Sequence, residues 1–148
     1  MIMTGLIKME FYREIIAVTT QGEIDLIDLT RRLNELLKER PIKEGLAHLF
    51  VPGSTAALTT IEFESGLIDD FKELLKKLVP KNSHYRHNLA WEDGNAHSHL
   101  RASMIGPSLT VPIVDGQLAL GVWQQVVLVE LDVRPRKRQI ILELVGRD

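Results

Sequence analysis

Helical periodicity occurs in only two stretches of this chain, both within the first 80 residues and each closed by a proline. In the first, Leu26, Leu29, Leu33, Leu36 and Leu37 recur at helical spacing, Asp25 offers an N-cap with Asp28 three residues on, and Pro41 ends the run. In the second, Ser65 can cap, Asp69 and Asp70 favour the positive end, and Leu67, Phe71, Leu74, Leu75 and Leu78 form a stripe that Pro80 stops. Between and before them the pattern is that of strands: residues 8–20 are rich in Ile, Val, Thr and aromatics, GLAHLFVPG ends on a Pro-Gly break, and TAALTTIE is β-branched.

Beyond Pro80 helical spacing is not evident. Residues 81–95 are polar, turn-forming and aromatic, and read as a long loop with a short strand near His87. Strands are then expected over 96–105, 109–114, 117–122, 124–132 and 137–146, with Asp115-Gly116 forming a type I′ hairpin. The expected fold class is α+β: one domain spanning 1–148, with two helices laid on a mixed or antiparallel β-sandwich.

Composition removes several function classes. A chain of 148 residues can bury roughly 68–70% of its unfolded surface, so it needs no staples. Cysteine is absent, which excludes disulfides and thiolate metal sites and leaves His, Asp and Glu as the ligands for any metal. With 18 basic and 20 acidic residues and a net charge of −2, no field suggests nucleic-acid binding. No run approaches the ~18 apolar residues of a membrane helix, and MIMTGLIKMEFYRE lacks the features of a signal peptide. A cytoplasmic protein without nucleic-acid or membrane partners is expected.

The chemistry concentrates in GNAHSHLRA, residues 94–102. If this segment is a strand, His97, His99, Arg101 and Ser103 share one face, with Ala96, Ser98, Leu100, Ala102 and Met104 on the other. Two imidazoles about 6.5–7 Å apart at Cβ can meet on one divalent ion. His87 is then the natural third ligand, leaving a coordination position for water or a phosphate oxygen. The alternative is a set of ordinary hydrogen-bonded surface histidines. Arg101 would match a carboxylate or phosphate, or else pair with Glu92 or Asp93.

PGSTAAL, residues 52–58, is either a phosphate-holding turn or a simple strand entry. Glu62 and Asp70 are candidate carboxylates for a metal, or a strand-end charge and a first-turn acid. Trp123 and Gln125 suggest a shelf for a planar ligand, or a packed Trp beside a polar neighbour. RPRKR, residues 134–138, reads as a solvated hairpin end.

Four segments taken together resemble the YjbQ-like family, often labelled secondary thiamine-phosphate synthases. They are STAALTTIE with Asp70 after it, P-x4-Y-R-H-N from Pro80 to Asn88, DGNAHSHLRASMIGPSLTVPIVDGQLALGVWQ, and ELDVRPRKR. The resemblance covers nearly the whole chain in order, with Val122 standing where the family has threonine. It implies a mixed β-sandwich with two helices, assembled as a homotrimer. It also implies a reaction joining a pyrimidine methyl diphosphate to a thiazole phosphate with loss of pyrophosphate.

Carried onto this chain, the site would comprise His87, His97, His99 and Arg101, with Ser54, Thr55 and Glu62. The histidines are the expected ligands of a divalent metal, zinc or magnesium, with no organic cofactor; the other four would bind substrate. Three readings follow: an enzyme of a phosphorylated small molecule, a metal-dependent phosphate or ester hydrolase, and a non-enzymatic trimeric protein that binds a metabolite or metal.

Overall fold

A computed structural model describes residues 6–148. The elements run β1 (Glu10–Thr19), β2 (Asp25–Asp28), α1 (Thr30–Lys38), β3 (Glu44–Phe50), β4 (Ala56–Ile61) and α2 (Ser65–Leu78), then α3 (His87–Ala90), α4 (Ala96–Ile105), β5 (Ser108–Val114), β6 (Gln117–Leu118), β7 (Gln125–Glu130) and β8 (Lys137–Arg147). One sheet has the order β1-β8-β3-β5-β6 and the other β2-β7-β4. Every strand pair is antiparallel.

Alternation explains the layering. Odd and even positions of a strand face opposite ways, and in β8 the large buried apolar residues are Ile140, Leu142 and Leu144. They meet Leu58, Val126 and Leu128 from the smaller sheet in a core that also takes Leu29, Leu33, Leu36 and Leu37 of α1. The opposite face of the smaller sheet offers Leu26, Ala57, Val127 and Val129 to Leu75 of α2 and Ala102 of α4. β7 is therefore covered on both sides, which is why VVLV reads as a continuous apolar run. Each such side chain contributes about 1.5–3 kcal/mol on burial.

The α+β class holds, with corrections in detail. Four helices are present among the described residues, two more than the periodicity predicts. Asp25 starts β2 rather than capping a helix, because Leu26 and Ile27 pair with Val129 and Leu128. Glu64, not Ser65, caps α2, its carboxylate accepting from the amides of Gly66 and Leu67 at 2.8 Å each. Those two amides hold the Glu64 carboxyl below its ordinary range. The buried face of α2 is Ile68, Phe71 and Leu75, while Leu67, Leu74 and Leu78 are exposed.

The short strand placed near His87 is helix α3. The strand placed over 117–122 shrinks to two residues after a turn in which Asp115 and Gly116 both have positive φ. The strand placed over 96–105 is wholly helical.

Candidate functional site: two faces of helix α4

That last correction changes the site. In a strand, residues 97 and 99 point the same way; in a helix, at 3.6 residues per turn, they diverge by about 200°. His97 instead shares a face with Arg101, one turn on, and both are buried. His99 looks out on the other side, where Ser103 donates to its carbonyl at 2.8 Å.

On the inner face the His97 Nε2 lies 2.7 Å from an oxygen of Glu23. Against an ionised carboxylate Nε2 must donate, while Nδ1 is buried and has no hydrogen-bond partner. Arg101 donates from Nε and one terminal nitrogen to the carbonyl of Val79, at 3.1 and 2.8 Å. Val79 is the C-cap of α2, so the guanidinium closes that helix at its negative end. The other terminal nitrogen reaches Glu23 at 3.5 Å, and Lys81 also pairs with Glu23. Burial pushes the Glu23 carboxyl up, but hydrogen bonds and charge from Lys81 and His97 outweigh it and leave it below the ordinary value. Burial likewise lowers Arg101, with Glu23 opposing. Arg101 is thus occupied with the protein's own groups and does not pair with Glu92 or Asp93.

On the outer face the ring of His99 meets that of His87 edge-on, with centroids 4.9 Å apart. α3 carries His87, whose Nε2 lies 3.2 Å from the side-chain oxygen of Asn95. Asn88 in turn accepts from the first amide of α4 at 3.0 Å, so the two helices are tied at the histidine pair. His99 and Ser103 border a recess of about 170 Å³ whose other wall includes Gly53, Ser54 and Pro107.

Thr55 lies beneath this turn rather than in the recess. Its hydroxyl donates to Asp132 at 3.2 Å and accepts from Arg138 at 2.8 Å. Arg138 grips both oxygens of the buried Glu130, at 2.8 and 2.7 Å, and Thr20 adds a bond to Glu130 at 2.9 Å. Arg136 holds Asp132 at 2.6 Å. For Asp132 burial acts upward, and Arg136, the Val133 amide and Thr55 together bring the carboxyl below its usual range. RPRKR is therefore not simply a solvated hairpin end: two of its arginines anchor the turn that presents Ser54. Gly53 has φ +130°, and a Cβ there would come within 2.9 Å of Arg138.

The structure thus pairs His87 with His99, sets His99 across the recess from Ser54, and turns His97 and Arg101 to the far side of α4. Glu62 follows β4 whereas Ser54 and Thr55 precede it, a separation of roughly 20 Å along the strand. Among the described residues no three His, Asp or Glu side chains are grouped as a metal centre. The three-histidine set expected from strand parity does not assemble within one chain, because the helix separates its members. Trp123, at 71% exposure, is not packed. Glu23 and Lys81 were not legible as site residues; nothing in GEID or in PKN marks them before the fold closes.

The class the fold defines is a layered antiparallel α+β chain, here with His87 of α3 and His99 of α4 meeting edge-on. The family profile described as UPF0047 protein YjbQ-like matches residues 14–147, and the chain belongs to that family. A UPF0047 protein of Methanothermobacter thermautotrophicus is 37% identical over 139 residues, covering 94% of this chain and 95% of its own. The UPF0047 protein YjbQ of Escherichia coli O157:H7 is 32% identical, covering 77% and 83%. Among solved structures, a protein of unknown function from Sulfolobus solfataricus P2, described as YbjQ-like, superposes with a TM-score of 0.90 at 35% identity, covering 95% of this chain and all of that one. An uncharacterised YjbQ/UPF0047 protein of Clostridium acetobutylicum gives 0.81 at 29% identity, covering 88% and 98%.

No helix among the described residues is long and apolar enough to cross a membrane.

Proposed function

We propose that this chain is a cytoplasmic enzyme of a phosphorylated small molecule, and that the outer face of α4 is its reaction site. The observation that carries this reading is His99, paired edge-on with His87, lining one recess with Ser54. Asn95 holds the His87 ring, that ring packs edge-on against His99, and Arg138 holds Thr55 next to Ser54. Imidazoles can donate to phosphate oxygens and transfer protons near neutral pH, and the Ser54 hydroxyl adds a donor.

The reaction the resemblance implies couples a pyrimidine methyl diphosphate to a thiazole phosphate. Its difficult step is departure of pyrophosphate, so stabilising the developing negative charge is the main service these groups can perform. The test is to incubate the purified protein with both precursors and assay thiamine phosphate. Product is expected from the wild type and not from His99→Ala or His87→Ala; equal product from wild type and His99→Ala removes the assignment.

A second reading, metal-dependent hydrolysis of a phosphate or ester, is favoured by the same close pair. Two neutral imidazoles at this spacing can supply part of a zinc or magnesium shell, with the remainder from outside this chain. Phosphatase activity that chelation abolishes and a divalent ion restores would select it.

The homotrimer is supported by the outer surface of the five-stranded sheet. Cross-strand partners share a face, and the registers place Phe11, Val145, Leu46 and Pro112 in one row and Ile15, Ile141 and Phe50 in another. Between them runs the polar row Arg13, Glu143, His48 and Thr110. Phe11, Ile15, Leu46 and Phe50 are all exposed on this face. Contiguous apolar rows around a polar one suit a second copy of the chain better than solvent.

A further inference from the structure

The inner face of α4 opens on a cleft that the proposed function leaves unused. It encloses about 420 Å³ and is lined by Glu23, Ile24, Lys76, Pro80, Lys81, Asn82 and Arg101. That volume is in the range of small-molecule sites. Its walls come from the loop between β1 and β2, the C-terminal part of α2 with the residues just beyond it, and α4. Three separate parts of the chain converge on one carboxylate.

We infer that this cleft is a second binding site and that its ligand is a small zwitterion, a molecule carrying an ammonium or amidinium group together with a phosphate or carboxylate. Glu23 decides the cationic half. One of its oxygens is engaged by His97 and Arg101 and the other by Lys81 alone. Each carboxylate oxygen can accept twice, so the second oxygen keeps a lone pair for a ligand N–H. Its three cationic or N–H partners keep this carboxylate ionised and fix its direction before any ligand arrives, so little ordering remains at binding.

The anionic half follows from the charge count. Lys76, Lys81 and Arg101 surround a single acid, so the lined space carries excess positive charge. Lys76 also pairs with Glu73 at 2.8 Å, but both side chains are more than half exposed and such a pair holds weakly. Its ammonium is free to turn inward. A bare cation would meet three like charges, and a bare anion would meet Glu23. A molecule with both charges satisfies both walls, while Ile24 and Pro80 accept its carbon frame.

Phosphoethanolamine is the probe, with inorganic phosphate and ethanolamine as its separate halves, each titrated by calorimetry into the wild-type protein. Phosphoethanolamine is expected to bind about tenfold or more tighter than either half, as one added charge-assisted contact provides. Glu23→Gln should bring phosphoethanolamine down to the affinity of inorganic phosphate. Lys76→Gln, at an exposed position whose loss does not threaten the fold, should weaken phosphoethanolamine and phosphate together.

His99→Ala, which disables the outer face, should leave all three titrations unchanged, so failure of the proposed reaction and failure of this site are told apart. The inference is overturned if phosphate alone binds as tightly as phosphoethanolamine, if neither binds at millimolar concentration, or if Lys76→Gln changes nothing.

Discussion

The His97 imidazole donates to Glu23 across 2.7 Å, joining positions 74 residues apart, while His99, two residues on, faces the opposite side of the same helix. One histidine therefore belongs to the interior and the other to the site.

That division separates stability from activity. His97→Ala removes a fully buried ring and leaves Glu23 short of a donor, and should cost about 2–4 kcal/mol. His99→Ala should stay within about 1 kcal/mol of wild type and abolish turnover. Urea unfolding of the two variants, read beside the coupling assay, checks the contrast; equal destabilisation would contradict the helical placement.

The anchor beneath Ser54 should behave as a buried ion pair. Replacing Arg138 by Met leaves Glu130 charged and enclosed, at a cost of about 3–5 kcal/mol. Changing both residues to apolar ones of similar size should recover much of that loss, since removing a buried pair whole is often near neutral. Thermal unfolding of the single and double variants measures it. Gly53→Ala should destabilise and also weaken activity, because the new methyl group displaces Arg138 from under the turn.

Acid should unfold the protein through two carboxylates. Glu23 and Asp132 both sit below their ordinary values in the folded chain. The unfolded groups titrate near about 4, so their contribution is complete above that pH and is lost as pH falls through the lower folded values. The urea midpoint should thus be flat from neutral pH to about 5 and drop below about 4. Glu23→Gln should show a shallower drop over the same window.

Charge placed on the apolar rows should dissolve the proposed trimer. Ile15→Asp or Phe50→Asp changes an exposed side chain, so the fold should persist while light scattering reports monomer, against the trimer proposed for the wild type. A wild-type monomer at micromolar concentration would remove the proposed role of this face.

Much of the fold is written locally. Proline at 41 and 80, alternation in β1, β5 and β8, the continuous apolar run of β7 and the Asp115-Gly116 turn are all short-range signals, and each element they predict is present. The sequence of α4 is ambiguous, because AHSHLRASM alternates polar with small or apolar residues, which matches a strand as well as a helix. The opposing signal was there: Ala, Leu, Arg and Met favour helix, no β-branched residue occurs before Ile105, and Asn95 and Gly106 bound the segment. The family resemblance was equally legible, since it rests on residue order alone.

What the sequence by itself determined is the family, the α+β class, the histidine-rich segment, and the strands and two helices that short-range patterns mark. Which residues meet was decided only in three dimensions. Whether residues 97 and 99 share a face depends on backbone conformation, and here packing of Ala102 and Ile105 against β4, β7 and α2 selects the helix. Glu23 becomes a partner of His97 and Arg101 because two sheets and a helix close around a buried carboxylate that must be paired. No local pattern can encode a distance between positions 74 residues apart.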